Sequence, residues 1–251
     1  MDNYKEETVP AQQVRNKTLL SLLFLFLFFA TCIAAWIWLR RQPDDNGAPK
    51  PLRAVLNTNE KIFSTFFSNN NLAKVFPLPE AAAKVRKNGD EGMRDDFDAT
   101  KWKLQLIRNI GDTIYITMDD IKALPKTDVI FDFKCIEGWS QVTHWGGVKF
   151  SDFAKKYNLD WQSHLNYVGM NTPDKKYYVG IDTKSIFHPQ TILCYEMNGK
   201  PLPVNQGYPL RLIIPVKYGI KHLKRIGTIF FSNERPPDYW FERGYDYYAG
   251  L

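Results

Sequence analysis

The longest unbroken hydrophobic stretch lies near the N-terminus, where Leu19 to Leu39 is uncharged and almost wholly apolar. A helix of that length spans about 30 Å, the thickness of a bilayer core. Trp36 and Trp38 fall where an interfacial aromatic belt would lie. The run exceeds the apolar region of a signal peptide and is followed by Arg40-Arg41 instead of small residues, so the expectation is an uncleaved single-pass anchor. Lys5, Arg15 and Lys17 precede it, and Arg40, Arg41, Lys50 and Arg53 follow. That excess is too slight to fix an orientation, and no twin-arginine pair stands ahead of the run.

Beyond the anchor the pattern becomes irregular. Pro43 to Pro51 reads as a juxtamembrane linker, and Asn57 to Asn71 with Phe76-Pro-Leu-Pro79 as a loosely structured lead-in. Glu80 to Lys87 is expected to form a short helix ending near Gly89. From Lys101 onward, short alternating runs take over. Lys101 to Arg108 and Thr113 to Thr117 form a predicted hairpin, and Thr117 to Leu124 a capped helix. Val129 to Phe133 alternates as a half-buried strand and delivers Cys135 into a turn at Gly138. A helix over Ser151 to Tyr157 follows, then strands at Tyr167 to Met170, Lys176 to Gly180, Arg211 to Pro215 and Ile226 to Phe231. Many short strands with few helices predict an α+β domain dominated by mixed sheet.

Composition narrows the chemistry. The chain has 251 residues, 44% of them hydrophobic, enough for one substantial core beyond the anchor. Cys32, Cys135 and Cys194 form no paired framework and no Cys-x-x-Cys spacing, which excludes a disulfide scaffold, a structural zinc site and an iron–sulfur or c-type haem motif. The formal charge of +6 is spread along the chain, which argues against a nucleic-acid binder and suits an anionic ligand. Cys135 is either a small buried hydrophobe or a soft thiolate ligand for a redox metal. Arg211, Lys217, Lys221, His222, Lys224 and Arg225 crowd within fifteen residues beside Gly207 and Gly219. Such a block is either a solvated basic turn or an anion cradle, because glycine admits close backbone approach and arginine and lysine donate to phosphate.

Three blocks then stand in order: Cys135-Ile-Glu-Gly-Trp-Ser140 with Trp145-Gly-Gly-Val, Leu193 to Pro203, and Gly207-Tyr-Pro-Leu-Arg211 with Pro215 to Ile226. Together they resemble the molybdopterin-binding domain of the sulfite oxidase family, nearest its bacterial methionine sulfoxide reductase branch. The resemblance runs from Asn88 to Leu251 and includes the closing Pro236 to Tyr245. It implies a sulfite-oxidase-like mixed-sheet fold with a molybdenum-molybdopterin cofactor. The one protein thiolate on the metal would be Cys135, which is thereby also the catalytic residue. The pterin contacts it implies are Thr172, Gln206, Arg211, His222, Leu223 and Lys224, with Asn88 near the start of the domain. The organisation expected is a tail (1–18), an anchor (19–39), a linker and lead-in (40–87) and the oxidoreductase domain (88–251).

Gln206 stands where the family often has histidine or asparagine, and it retains hydrogen-bonding capacity. Ile136 to Ser140 replaces the arginine-bearing stretch of sulfite oxidases, which points away from sulfite, while Trp139, Trp145 and Tyr245 to Tyr248 suggest an aromatic, neutral pocket. His144 reads as a pocket or packed histidine and Glu137 as a neighbour of the thiolate or half of a salt bridge; His164 and His188 carry no pattern. The expected activity is oxygen-atom transfer with a small-molecule oxo-donor or oxo-acceptor, chiefly reduction of a sulfoxide or N-oxide. A sulfite-oxidising enzyme and a cofactor-free binding module are the alternatives. Electrons would come from a membrane partner such as a haem-bearing subunit, or from quinones through one, at a bacterial inner membrane, with the domain on either side.

Overall fold

The computed structural model describes residues 9–93 and 97–251, so the first eight residues of the expected tail lie outside it. Helix α1 (Ala11–Arg40) contains no buried residue, and the apolar run occupies its C-terminal two thirds. A small hairpin, β1 (Asp44–Asp45) and β2 (Ala48–Pro49), leads into α2 (Lys50–Phe66). The rest of the chain builds two five-stranded sheets.

In the first sheet, β5 (Lys126–Lys134) pairs with β6 (Ser140–Lys149), which pairs with β9 (Ile192–Met197). β9 also takes β10 (Lys200–Pro201) and β11 (Arg211–Ile213), all antiparallel. The second sheet runs β4 (Asp112–Ile116), β3 (Leu104–Asn109), β12 (Thr228–Ser232), β7 (Tyr167–Asn171) and β8 (Tyr178–Asp182). Its β3–β12 pair is parallel, so the architecture is the mixed-sheet α+β fold predicted from the strand pattern. Short helices α3 (Met118–Lys122), α4 (Phe150–Lys156) and α5 (Thr183–Ile186) close the gaps. Thr117 and Asp120 form a capping box on α3, as the residue pattern there requires. The larger core lies between the sheets around Leu104, Val168, Ile229 and Phe150. A second cluster, Val129, Phe131, Phe133, Cys135, Trp145 and Cys194, packs behind β5.

The lead-in departs from expectation in two places. Residues 50–66 are helical instead of linker and loose chain. α2 is fastened by Arg53, which donates to the carbonyl oxygens of Tyr245, Asn46 and Phe241, and by Glu60, which pairs with Arg235 at 2.5 Å. Conversely, Glu80 to Lys87 form no α-helix beyond a single 3₁₀ turn, Leu78–Glu80. Ala82 donates to Val142 O (3.0 Å), and Gln141 brackets Lys84 O and Arg86 N, at 3.1 and 2.8 Å. Alanine-rich helix propensity is worth only tenths of a kcal/mol per residue and yields to these contacts along β6.

Candidate functional site

Alternation along β5 puts Val129, Phe131 and Phe133 inward and carries Cys135, 5% exposed, to the strand end. Cys135 N donates to Trp139 O (2.9 Å) and Gly138 N to Cys135 O (3.1 Å), a tight turn that needs the positive φ (+87°) of Gly138. Burial pushes the thiol upward, while the backbone N–H groups of Glu137 and Ile136 and the charge of Arg86 pull toward the thiolate. This is a metal-ligand setting more than a nucleophile's: a sulfur shielded from water with donors aimed at it.

Cys135 opens on a cleft of 80 Å³ that also takes in Asn88, His222 and Lys224, with Glu91, Glu137, Trp240 and Tyr245 at its walls. A larger open cavity of 780 Å³ between α2 and the β8–α5 corner holds none of the residues expected to bind the metal or the pterin, so chemistry and not size marks the site. His222 packs edge-on against Phe133, at 4.7 Å between ring centroids, and its Nε2 meets Lys217 O at 3.1 Å. Burial and the nearby Arg211 charge push its pKa down to about 3, so the ring is neutral. The proton sits on the nitrogen facing the carbonyl, which leaves Nδ1, buried and without a hydrogen-bond partner among the described residues, as an acceptor. Lys224 donates to the carbonyls of Asn88 and Gly89 and is pushed down to about 7 by burial and then by Arg211. Asn88 Nδ2 reaches Gly219 O at 3.3 Å.

Arg211 and Gln206 make a second layer. Arg211 is fully buried, lies 4.5 Å over the Trp145 ring and donates Nη1 to Gln206 O and Oε1 at 3.0 and 2.9 Å. Its Nε and Nη2 have no hydrogen-bond partner among the described residues, and burial lowers its pKa to about 10. Leu223 packs into the larger core with its carbonyl accepting from Leu212 N, so only its backbone faces other chemistry. Thr172 is placed differently. Its hydroxyl donates to Asp174 at 2.6 Å and accepts from Tyr177 N at 3.2 Å, so its hydrogen-bonding capacity is taken up inside the 172–177 turn.

The basic block therefore divides. Lys217 pairs with Asp182 at 2.8 Å and Lys221 with Asp238 and Gly180 O, both as buried ion pairs. Trp145 is buried under Arg211 and Tyr247 and Tyr248 are interior, so of the proposed aromatic pocket only Tyr245 lines the cleft, while Trp139 stacks on Phe133 at 5.9 Å between ring centroids. Glu137 makes no ion pair among the described residues; it accepts from Trp139 Nε1 at 2.9 Å. His144 contacts Asp128 at 2.8 Å on the outer part of β6. Sequence reasoning missed Arg86, whose guanidinium stacks 4.5 Å over Trp139, because its segment was expected to be helical. It also missed Tyr177, fixed by its hydroxyl to Ile220 O at 2.6 Å.

The side-chain set fits an anionic, sulfur-rich metal cofactor: one shielded thiol, the bare Nδ1 of His222 and a desolvated lysine line the cleft, the orphaned N–H groups of Arg211 lie behind them, and no carboxylate among the described residues pairs with Arg211 or Lys224. Residues 91–240 match the oxidoreductase molybdopterin binding domain. A protein of Azospira oryzae, provisionally named a protein-methionine-sulfoxide reductase subunit, is 32% identical over 82% of this chain and 79% of its own length. The protein-methionine-sulfoxide reductase catalytic subunit of Campylobacter jejuni is 29% identical over 63% of this chain, which spans 59% of that relative. Among solved structures, the sulfane dehydrogenase SoxCD of Paracoccus pantotrophus aligns with 56% of this chain and 40% of that one, at 14% identity and a TM-score of 0.49. The chain belongs to the molybdopterin-binding oxidoreductase family, and is an oxidoreductase whose cofactor is molybdenum-molybdopterin.

Proposed function

We propose that this chain is the membrane-anchored catalytic subunit of a sulfoxide reductase. The observation that carries the reading is the make-up of the Cys135 cleft: aromatic walls from Trp240 and Tyr245, with Glu91 and Glu137 as its carboxylates. Two negative charges at the entrance oppose a dianion such as sulfite and leave a neutral sulfoxide unopposed. The names of the two curated relatives support the same substrate class.

In this reading Cys135 supplies the metal thiolate and Arg211, His222 and Lys224 hold the cofactor, with Gln206 and Trp145 fixing the Arg211 guanidinium. Asn88 acts through its carbonyl, which positions Lys224, and Leu223 through its backbone. When bound, the molybdenum centre supplies oxygen-atom transfer coupled to a two-electron change. Reduction of a sulfoxide to a sulfide and water consumes two electrons and two protons. Glu137 and Glu91 are placed at the cleft to relay the protons, and the Phe133–Trp139–Arg86 stack walls the thiolate from bulk water. The electrons come from a membrane redox partner such as a haem-bearing subunit, for which α1 as a single-pass anchor (19–39) provides proximity.

One observation keeps sulfite in view: Arg86 brings a cation near Cys135 from outside the segment where sulfite oxidases carry theirs. The test is anaerobic reoxidation of reduced viologen by the full chain from a molybdenum-competent host, with methionine sulfoxide and an N-oxide, beside sulfite-dependent reduction of an acceptor. Sulfoxide turnover that disappears in Cys135→Ser, with the fold kept and molybdenum lost, supports the reading. Turnover with sulfite alone overturns it.

A further inference from the structure

Helix α2 is built inside out. At about 100° per residue, Arg53, Asn57, Glu60 and Ser64 share the face turned to the domain, where Arg53 is 2% exposed and bound to four carbonyl oxygens. Leu52, Val55, Ile62, Phe63 and Phe66 lie together on the outer face, 44–75% exposed. A surface helix of a soluble domain places these faces the other way round. Because the inward contacts are an ion pair and carbonyl hydrogen bonds specific to Arg53 and Glu60, the helix cannot turn its apolar stripe inward without losing them.

The geometry points to a lipid surface as the partner of this stripe: α2 lies in the interfacial layer of the membrane that α1 enters, its outer side chains among the acyl-chain ends. The inference rests on reading α1 as a span. Connectivity selects lipid over a second copy or a protein partner. The β1–β2 hairpin folds back so that Lys50 N donates to Pro43 O at 3.0 Å, which starts α2 beside the end of α1. Trp36, Trp38, Arg40 and Arg41 mark that end as the level of the headgroups. Lys50 and Lys61 extend the cationic character along α2, as anionic lipid favours. One consequence reaches the site. Arg53 grips the carbonyls of Phe241 and Tyr245, and Tyr245 and Trp240 wall the Cys135 cleft, so seating α2 on the bilayer fixes the cleft mouth relative to the membrane.

The test uses the full chain in vesicles of phosphatidylethanolamine and phosphatidylglycerol, in a Cys32→Ser background, with Cys135 and Cys194 buried. Single spin labels go on Ile62→Cys, Phe66→Cys, Lys61→Cys and, within α1, Phe28→Cys. Collision with oxygen and with a water-soluble nickel chelate is read for each. Seating in lipid gives an oxygen-to-nickel ratio several-fold higher at 62 and 66 than at 61, with 28 higher still. A high ratio at 28 with ratios at 62 and 66 as low as at 61 overturns the inference and leaves the anchor intact. A low ratio at 28 overturns the anchor reading and the inference with it.

Discussion

Two sets of buried cations lie within fifteen residues of each other, and they are buried for opposite reasons. Lys217 and Lys221 meet Asp182 and Asp238, so their charges are answered by protein carboxylates. Arg211 and Lys224 meet carbonyl oxygens, an aromatic ring and each other's field, and neither has a carboxylate in ion-pair range among the described residues. A buried cation with a matching anion holds a fold together; one without it raises the energy of the empty protein and favours an anion that arrives later. Their pKa values follow this division. Lys217 is lowered to about 8 by burial against the pull of Asp182, whereas Lys224, though less enclosed, falls to about 7 with Arg211 pushing further down.

The sharpest way to break the comparison is to remove one member of each set. Lys221→Met leaves Asp238 buried opposite an apolar side chain, and the cost should be about 3–5 kcal/mol. Chemical denaturation would show a large fall in midpoint, while molybdenum per folded molecule stays at the wild-type level. Arg211→Met should do the reverse. Cofactor-free stability changes little or rises, because an uncompensated charge has gone, and molybdenum content in purified protein falls about ten- to a hundredfold. If both variants lose stability and keep metal, the division between the sets is wrong.

A pH series sharpens it further. In cofactor-free protein Lys224 loses its proton near pH 7 instead of 10.5. Between those values the unfolded chain binds more protons than the native one, so stability rises with pH across that window and is flat below it. Relative to Lys224→Met, the wild type should gain up to about 2 kcal/mol between pH 7 and pH 9, measured by urea unfolding. Loading the anionic cofactor holds Lys224 charged and should remove the difference.

The same contrast explains how much could be read from the chain. The Cys135 strand and turn were legible because alternation from Val129 to Phe133 and one glycine are local signals. The mixed sheet followed from strand spacing. The split of the basic block was not legible, since Asp182 and Asp238 reach their lysines only through pairings 17 to 35 residues distant in sequence. Helix α2 was missed because its asparagine-rich end suggested loop, and because its apolar stripe serves no core in the domain. Glu80 to Lys87 failed in the other direction, with local propensity overruled by the edge of β6.

The smallest expected effect is the most selective. The family resemblance places Leu223 among the pterin contacts, between His222 and Lys224, yet its side chain is fully buried in the larger core and its carbonyl is bound by Leu212 N at 2.9 Å. A side chain turned into the core cannot touch a ligand at the cleft, so any contribution must come from the backbone that His222, Lys224 and β11 hold in place. Leu223→Met keeps volume and backbone and should cost under about 1.5 kcal/mol. Molybdenum content and sulfoxide turnover should both match the wild type. A variant that is normally stable but short of molybdenum would show that the Leu223 side chain itself contacts the cofactor, and that the boundary drawn here between the core and the cofactor-holding layer runs on the wrong side of residue 223.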